Sequence, residues 1–444
     1  PADGKTMPGG QPMPADGKTM PGGQPMPADG KSAAPEAGFF LHPRVRAVLL
    51  PEDLPLPAVT EAILSCKPDL ALSATCWAPP YDWLGLQDAL VASSLRARGI
   101  RILAHPLALS MDCFDKNRTH ALLSRLGFAM PRSVHVHHEL YWAEKRHHEL
   151  TRNAYKEAVL AQIQALRYPV VIKDTVGLSS YSMEVAVSYR QALAYLNSGR
   201  TKVDRIVEEY IEGVQAGAEI YGRAAGEGAC SCTVLPPLLF SLNRYGITSP
   251  KQSVKLGEVS DGESGGRYHI EDLQARLSAL YKEAGFDGPA QVDLVFSAEE
   301  RKWYIIEINP RLSGMSETYA AALGLSLPEL LLRTALDLPL PAAAPAGAGP
   351  RLPYRVLNIK LPLLDREQFS DLASEPAVAY IHQIENRGAK QEREKGYCEL
   401  VLRSPTLPGL MAALDDIAAR YQDCMESAFV AKARELSLLL GSGD

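Results

Sequence analysis

Two short stretches restrict this chain more than any other: QVDLVF over 291–296 and WYIIEIN over 303–309, separated by the charged run 298–302. Both have the apolar weight and period-two alternation of β-strands, and so short a charged connection predicts an antiparallel hairpin turning near Glu300. In that register Asp293 stands directly across from Glu307, with Cβ atoms about 4.5–5.5 Å apart. Asp293 faces away from Val292 and Leu294, while Glu307 and Asn309 face away from Tyr304, Ile306 and Ile308. Two opposed carboxylates destabilise a sheet unless something neutralises them. A hard divalent cation with oxygen ligands would do so, and Mg²⁺ is the natural candidate, with Mn²⁺ as an alternative. The competing reading is a solvated hairpin face carrying unpaired acids.

Length and charge narrow the partners. A chain of 444 residues suits two to four domains. Its 46 Lys+Arg against 52 Asp+Glu give a net charge of -6 and a pI near 6.0, which removes the basic footprint expected of a nucleic-acid or anionic-membrane binder. No apolar run approaches the ~18–20 residues that span a bilayer, residues 1–38 lack a secretory pattern, and the seven cysteines are scattered. The expected partners are small molecules or proteins, without nucleic acid or membrane, and the expected compartment is the cytoplasm.

The pass along the chain begins with a tandem repeat: PADGKTMPGGQPM fills 1–13, recurs over 14–26, and starts a third time at Pro27. So much Pro and Gly with so little apolar surface predicts a disordered arm over 1–38. Segment 39–112 then alternates strands near 45–50, 70–73 and 100–104 with helices near 58–66 and 84–98, which predicts a Rossmann-like α/β domain. A helix from Cys113 ends at Gly127, and 133–168 is polar and helical in character. Strands follow near 170–173, 206–211, 291–296 and 303–309, with helices near 191–196, 271–284 and 326–336. The Pro/Ala/Gly run 339–350 reads as a linker. Strands near 354–361 and 397–402 and a helix over 407–421 then predict a small α+β domain over 351–444.

A second chemical signal is YPVVIK over 168–173, followed by DTVGLSSYS over 174–182. A lysine ending a buried strand before a small-residue loop suits phosphate oxygens, although such loops are also plain turns. Its companions, in order, are LSMDCFDK over 109–116 with GFAMP over 127–131, VEEYIEG over 207–213, and IIEINPR over 305–311. Together these motifs resemble the ATP-grasp superfamily of carboxylate–amine ligases over roughly 44–340, nearest the L-amino acid ligase and carbamoyl-phosphate-synthetase-like branch.

The resemblance implies an α+β ATP-grasp fold with two core subdomains, 113–205 and 206–338, ahead of the lid-like C-terminal domain. It implies that Lys116 and Lys173 contact ATP phosphates, under a flexible loop containing Gly177, Ser179, Ser180 and Ser182. Glu208, Glu209, Tyr210 and Ile211 would meet the adenine edge. Gln215 stands where the family has an acid for the ribose, with Glu219 as a helper. Asp293, Glu307 and Asn309 match the metal ligands, and Arg311 matches the arginine that stabilises the transferring phosphoryl group. The implied activity is amide or peptide bond formation between a small carboxylic acid, such as an amino acid, and an amine through an acyl phosphate, giving ADP and phosphate. Another acceptor chemistry (carboxylation or carbamoyl-type phosphorylation) and a non-catalytic nucleotide binder are the alternatives; a homodimer is common among similar proteins.

Position between the hinge and the hairpin makes Lys255 a candidate catalytic residue and Glu258 and Arg267 candidate substrate contacts, against a plain surface loop. The histidines at 135, 137, 138, 147 and 148 lack HExxH spacing and read as a solvated helical surface, and Cys230 with Cys232 reads as part of a strand.

Overall fold

The computed structural model describes residues 46–444 except 52, 77–81, 178–182, 199–201, 225–229, 242–253, 258–267, 342–350, 386–395, 423–424, 426 and 441–444. The repeat arm, Ser179, Ser180, Ser182, Glu258, Arg267 and residues 342–350 of the expected linker lie outside the described residues. Residues 53–444 form one compact unit.

The first module is small. Strands β1 (Leu70–Leu72) and β2 (Arg101–Leu103) pair in parallel, as the α/β pattern predicts. Helices Leu56–Ser65 and Trp83–Arg96 cover them with a core that includes Ala92, Leu95 and Ile102. The expected strand over 45–50 does not form: residues 46–50 are irregular, and Leu49 is 84% exposed. Prolines at 43 and 51 bracket that run and remove two backbone donors a ladder would use.

The helix expected from Cys113 is two helices, Leu107–Phe114 and Lys116–Arg125. Asp115 interrupts them with extended backbone and accepts from the amides of Asn117 (2.8 Å) and Arg118 (3.1 Å). It is an N-cap, and it fixes Lys116 as the first residue of the second helix.

Segment 133–168 carries the helices His138–Tyr141, Ala143–Arg146 and Ala154–Gln164, in line with its helical character, but it does not begin as one. It opens with β3 (Ser133–Val136), the edge of a four-stranded antiparallel sheet whose other strands are β4 (Val170–Asp174), β5 (Glu184–Ala186) and β6 (Arg205–Glu209), in the order β3-β6-β4-β5. Helices Ala154–Gln164 and Tyr189–Asn197 pack on it through Val159, Ile163, Ala192 and Leu196.

The largest sheet is antiparallel and has nine strands. They are β7 (Val214–Ala224), β8 (Cys230–Val234), β9 (Leu238–Ser241), β10 (Val254–Gly257), β11 (Ala290–Ser297), β12 (Lys302–Asn309), β13 (Arg355–Leu361), β14 (Val378–Glu385) and β15 (Gly396–Ser404). The order is β12-β11-β7-β9-β10-β13-β15-β14, with β8 also on β7. The C-terminal strands thus continue the sheet that holds the hairpin. One face, with Val292, Leu294, Leu357 and Leu400, is buried under helices Ile270–Glu283, Leu407–Arg420 and Ser427–Leu439. The other carries Asp293. Part of it packs against helices Ser316–Leu323 and Leu327–Ala335 through Tyr319, Leu330 and Leu238. Among the described residues no helix is long and apolar enough to cross a membrane.

Polar contacts of Arg96 and His105 tie the first module to this sheet. Arg96 pairs with Asp287 at 2.8 Å, and His105, just past β2, donates from Nε2 to the Pro289 carbonyl (2.8 Å) while its Nδ1 accepts from the Asp287 amide (3.2 Å). Both nitrogens are used as a neutral imidazole uses them, and burial pushes the His105 pKa down to about 4.

Candidate active site

The hairpin forms where alternation placed it. β11 and β12 pair antiparallel around a turn at 298–301, and Asp293 is the direct partner of Glu307. A bulge follows at once, because Leu294 pairs with Ile305 and skips Ile306, so the twist sharpens beside the two carboxylates. Gln291 shares the face at i−2. Its amide nitrogen donates to Asp293 Oδ1 (2.5 Å) and its amide oxygen accepts from Asn309 Nδ2 (2.6 Å). Sequence reasoning passed over Gln291, although the same alternation contains it.

Cations reach this face from elsewhere. Lys116 Nζ lies 3.3 Å from Glu307 Oε1 and 3.3 Å from the Gly177 carbonyl, while the Lys116 backbone amide donates to the Thr175 carbonyl (2.8 Å). The helix start is thereby laced to the loop after β4. Lys173 is buried and pairs with Glu208 at 2.5 Å. Burial works against the ammonium, but Glu208, with Glu307 and Asp293 further off, more than offsets this and holds the Lys173 pKa above its usual value. Burial likewise opposes ionisation of Glu208, yet Lys173 and then His120 hold it down to about 2. His120 Nε2 lies 2.8 Å from Glu208 Oε1. It sits four residues after Lys116 on the same helix, a one-face spacing that could have pointed to it.

The segment expected at the adenine edge has its side chains engaged. Glu208 is committed to Lys173 and His120, and Glu209 accepts from the Arg167 amide at 2.9 Å. Tyr210 donates its backbone amide to the Pro169 carbonyl (3.0 Å), and Ile211 packs with Val295 and Tyr304. Gln215 is half-buried on β7, opposite Val295. Glu219 requires a correction. It is fully buried and accepts from Ser313 (2.7 Å), Ser316 (2.8 Å) and Tyr221 (2.5 Å), so it anchors the turn after Arg311 instead of facing a ribose. Lys255 enters β10 opposite Asn358, but its side chain lies outside the described residues.

Arg311 is 8% exposed and held on three sides. Its Nε donates to Asp82 Oδ2 (2.5 Å), Nη1 to the Leu312 carbonyl (3.0 Å) and Nη2 to Asn309 Oδ1 (3.1 Å). A guanidinium has five N–H donors, so one on each terminal nitrogen is left without a partner among the described residues, the fork that grips an oxyanion. Asp82 comes from the first module, 229 positions away in sequence, and no local motif marks it. Burial raises its pKa, opposed in part by Arg311.

The structure therefore gathers Lys116, Lys173, Glu208, Asp293, Glu307, Asn309 and Arg311 around one face and adds His120, Gln291 and Asp82. Two opposed carboxylates and a fixed amide are an oxygen donor set that suits a hard divalent cation. Of the histidines expected on a solvated helical surface, His147 is exposed, whereas His135 lies half-buried on β3, 3.5 Å from Asp204, so the helical reading fails there.

Residues 113–315 match the ATP-grasp domain family. The carbamoyl phosphate synthase large chain of Thermoanaerobacter pseudethanolicus is 23% identical over 218 residues, 46% of this chain and 18% of that one. This chain thus spans under a fifth of that relative's length. Among solved structures, the L-amino acid ligase of Bacillus licheniformis aligns with a TM-score of 0.52 at 16% identity, covering 75% of this chain and 76% of that one. Biotin carboxylase of Campylobacter jejuni aligns with a TM-score of 0.55 at 14% identity, covering 88% and 84%. At such identities the likeness is one of fold.

Proposed function

From the match of residues 113–315 to the ATP-grasp domain family, we propose that the chain is an ATP- and Mg²⁺-dependent ligase. It would join a small carboxylic acid, such as an amino acid or peptide acid, to an amine. The observation that carries this reading is the direct Asp293–Glu307 pairing, flanked by Lys116, Lys173 and a pre-formed Arg311 fork.

A carboxylate is a poor electrophile because its charge is delocalised and oxide is a hopeless leaving group. Transfer of the ATP γ-phosphoryl group to a carboxylate oxygen gives an acyl phosphate and ADP. The amine nitrogen then attacks the acyl carbon, the C–O bond to phosphate breaks with its electron pair going to phosphate, and one ammonium-derived proton is released. Such chemistry needs positioning and charge neutralisation more than a side-chain nucleophile. Lys116 and Lys173 would hold phosphate oxygens, the two free N–H groups of Arg311 would hold the transferring group, and Asp293, Glu307 and Asn309 would hold the cation. When bound, that cation supplies Lewis-acid neutralisation of phosphoryl charge. Backbone at Glu209–Ile211 and the amide of Gln215 would take the nucleoside.

Segments 113–205 and 206–338 would form the two halves of the nucleotide clamp behind the 39–112 module, with 351–444 as the cover that keeps water from the acyl phosphate. The proposed compartment is the cytoplasm. A homodimer completes the proposal.

The test is ADP and phosphate release by the purified chain with Mg²⁺ and ATP, with the twenty L-amino acids supplied singly and in pairs. Release that needs two organic substrates is the expected result, and Glu307→Gln should lower kcat/KM at least about 100-fold with an unchanged circular dichroism spectrum. Full activity in Glu307→Gln would remove the metal assignment.

A further inference from the structure

We propose that Asp82, supplied by the first module, is the docking point of the acceptor amine, so that one carboxylate both fixes Arg311 and positions the nucleophile; this rests on the ligase reading above. Three observations carry it. Oδ2 of Asp82 accepts from Arg311 Nε at 2.5 Å, yet Oδ1, also buried, has no hydrogen-bond partner among the described residues. A buried carboxylate oxygen without a donor is unfavourable, and a ligand N–H would relieve it. Asp82 is also the N-cap residue of helix Trp83–Arg96, where an aspartate ordinarily accepts from its own helix's first amides. Here its side chain makes no cap bond. The carboxylate is turned away from a locally stabilising role and into the site.

The charges around Asp82 are Arg311, Glu307 and Lys116. Arg311 takes one oxygen, and Lys116 is paired with Glu307 and tied to the Gly177 carbonyl. The open oxygen thus offers a hydrogen-bond acceptor with negative charge next to a group that grips oxyanions. A bicarbonate or a second carboxylate would be repelled there, whereas an ammonium group fits. Once the docked ammonium has given one proton to bulk solvent, its nitrogen lone pair sits beside whatever Arg311 holds, which is where an acyl phosphate must be attacked.

Asp82→Asn separates docking from positioning, because its amide oxygen still accepts from Arg311 while its charge is gone. The experiment compares amide formation from the L-amino acid pairs with hydroxamate formation from the same acids and hydroxylamine, a neutral nucleophile near physiological pH that needs no ammonium site. MgATP binding, followed by calorimetry, checks that the variant is folded. The expected result is a fall in the amide-to-hydroxamate ratio of about 10- to 100-fold, expressed mainly in the KM of the amine. If both reactions fall together and the ratio stays constant, Asp82 acts only through Arg311 and the proposal is wrong. If the unaltered chain makes hydroxamate with none of the acids while binding MgATP, the ligase reading itself fails and takes the Asp82 assignment with it.

Discussion

The buried Lys173–Glu208 pair is the residue-scale feature with the plainest energetic consequence. Removing one partner of such a pair leaves an uncompensated charge and typically destabilises by about 3–5 kcal/mol. Glu208 has its pKa depressed to about 2 from an ordinary 4.5, so its stabilising contribution is fully present above about pH 4.5 and is lost as pH falls toward about 2. Glu208→Gln should therefore unfold at lower urea concentration at neutral pH and show a flatter loss of stability between those limits. Urea midpoints measured across the acid range check this, and a profile parallel to the unaltered chain's would refute it. Lys173 was legible as the end of a buried strand before a small-residue loop. Its partner was not, since Glu208 was assigned to adenine and nothing local distinguishes an acid that meets a ligand from one that neutralises a lysine.

Among the elements, the hairpin was readable because both strands carry strong alternation and a short charged turn. β7 was missed. Its sequence, VQAGAEIYGRA, is rich in small residues that give little strand signal, and the reason is its neighbours. A Cβ on Gly217, the β7 partner of Asp293, would fall 2.4 Å from Phe240 Cζ and 2.8 Å from Met315 Cε. Met315 belongs to the turn after Arg311 that Glu219 anchors through Ser313, which donates to Glu219 and accepts from the Met315 amide at 3.0 Å. Gly217→Ala should cost about 1–3 kcal/mol of stability through overpacking. It should also reduce phosphate release by shifting the Arg311 turn. Thermal unfolding together with turnover tests this; an alanine variant of unchanged stability would mean the two side chains move aside freely.

On the scale of the whole molecule, the site is shared between the first module, the four-stranded sheet and the nine-stranded sheet. A nucleotide bridging them should stabilise their common unit by mass action. MgATP at about 100 times its dissociation constant should add about 2.7 kcal/mol, raising Tm by about 2–5 °C, and chelation of the metal with EDTA should remove most of the increment. Differential scanning calorimetry with and without EDTA reads this directly; a Tm that ignores Mg²⁺ would count against the paired carboxylates as its ligands. What the sequence determined by itself is local in origin: strand alternation put Gln291, Asp293, Glu307 and Asn309 on one face, and a capping aspartate started the helix at Lys116. Only the tertiary structure decided that Asp82 meets Arg311, that His120 and Lys173 share Glu208, and that β13–β15 continue the hairpin's sheet. Periodicity is written into neighbouring residues, whereas these pairings join side chains far apart in the chain and exist only after the core has closed around them.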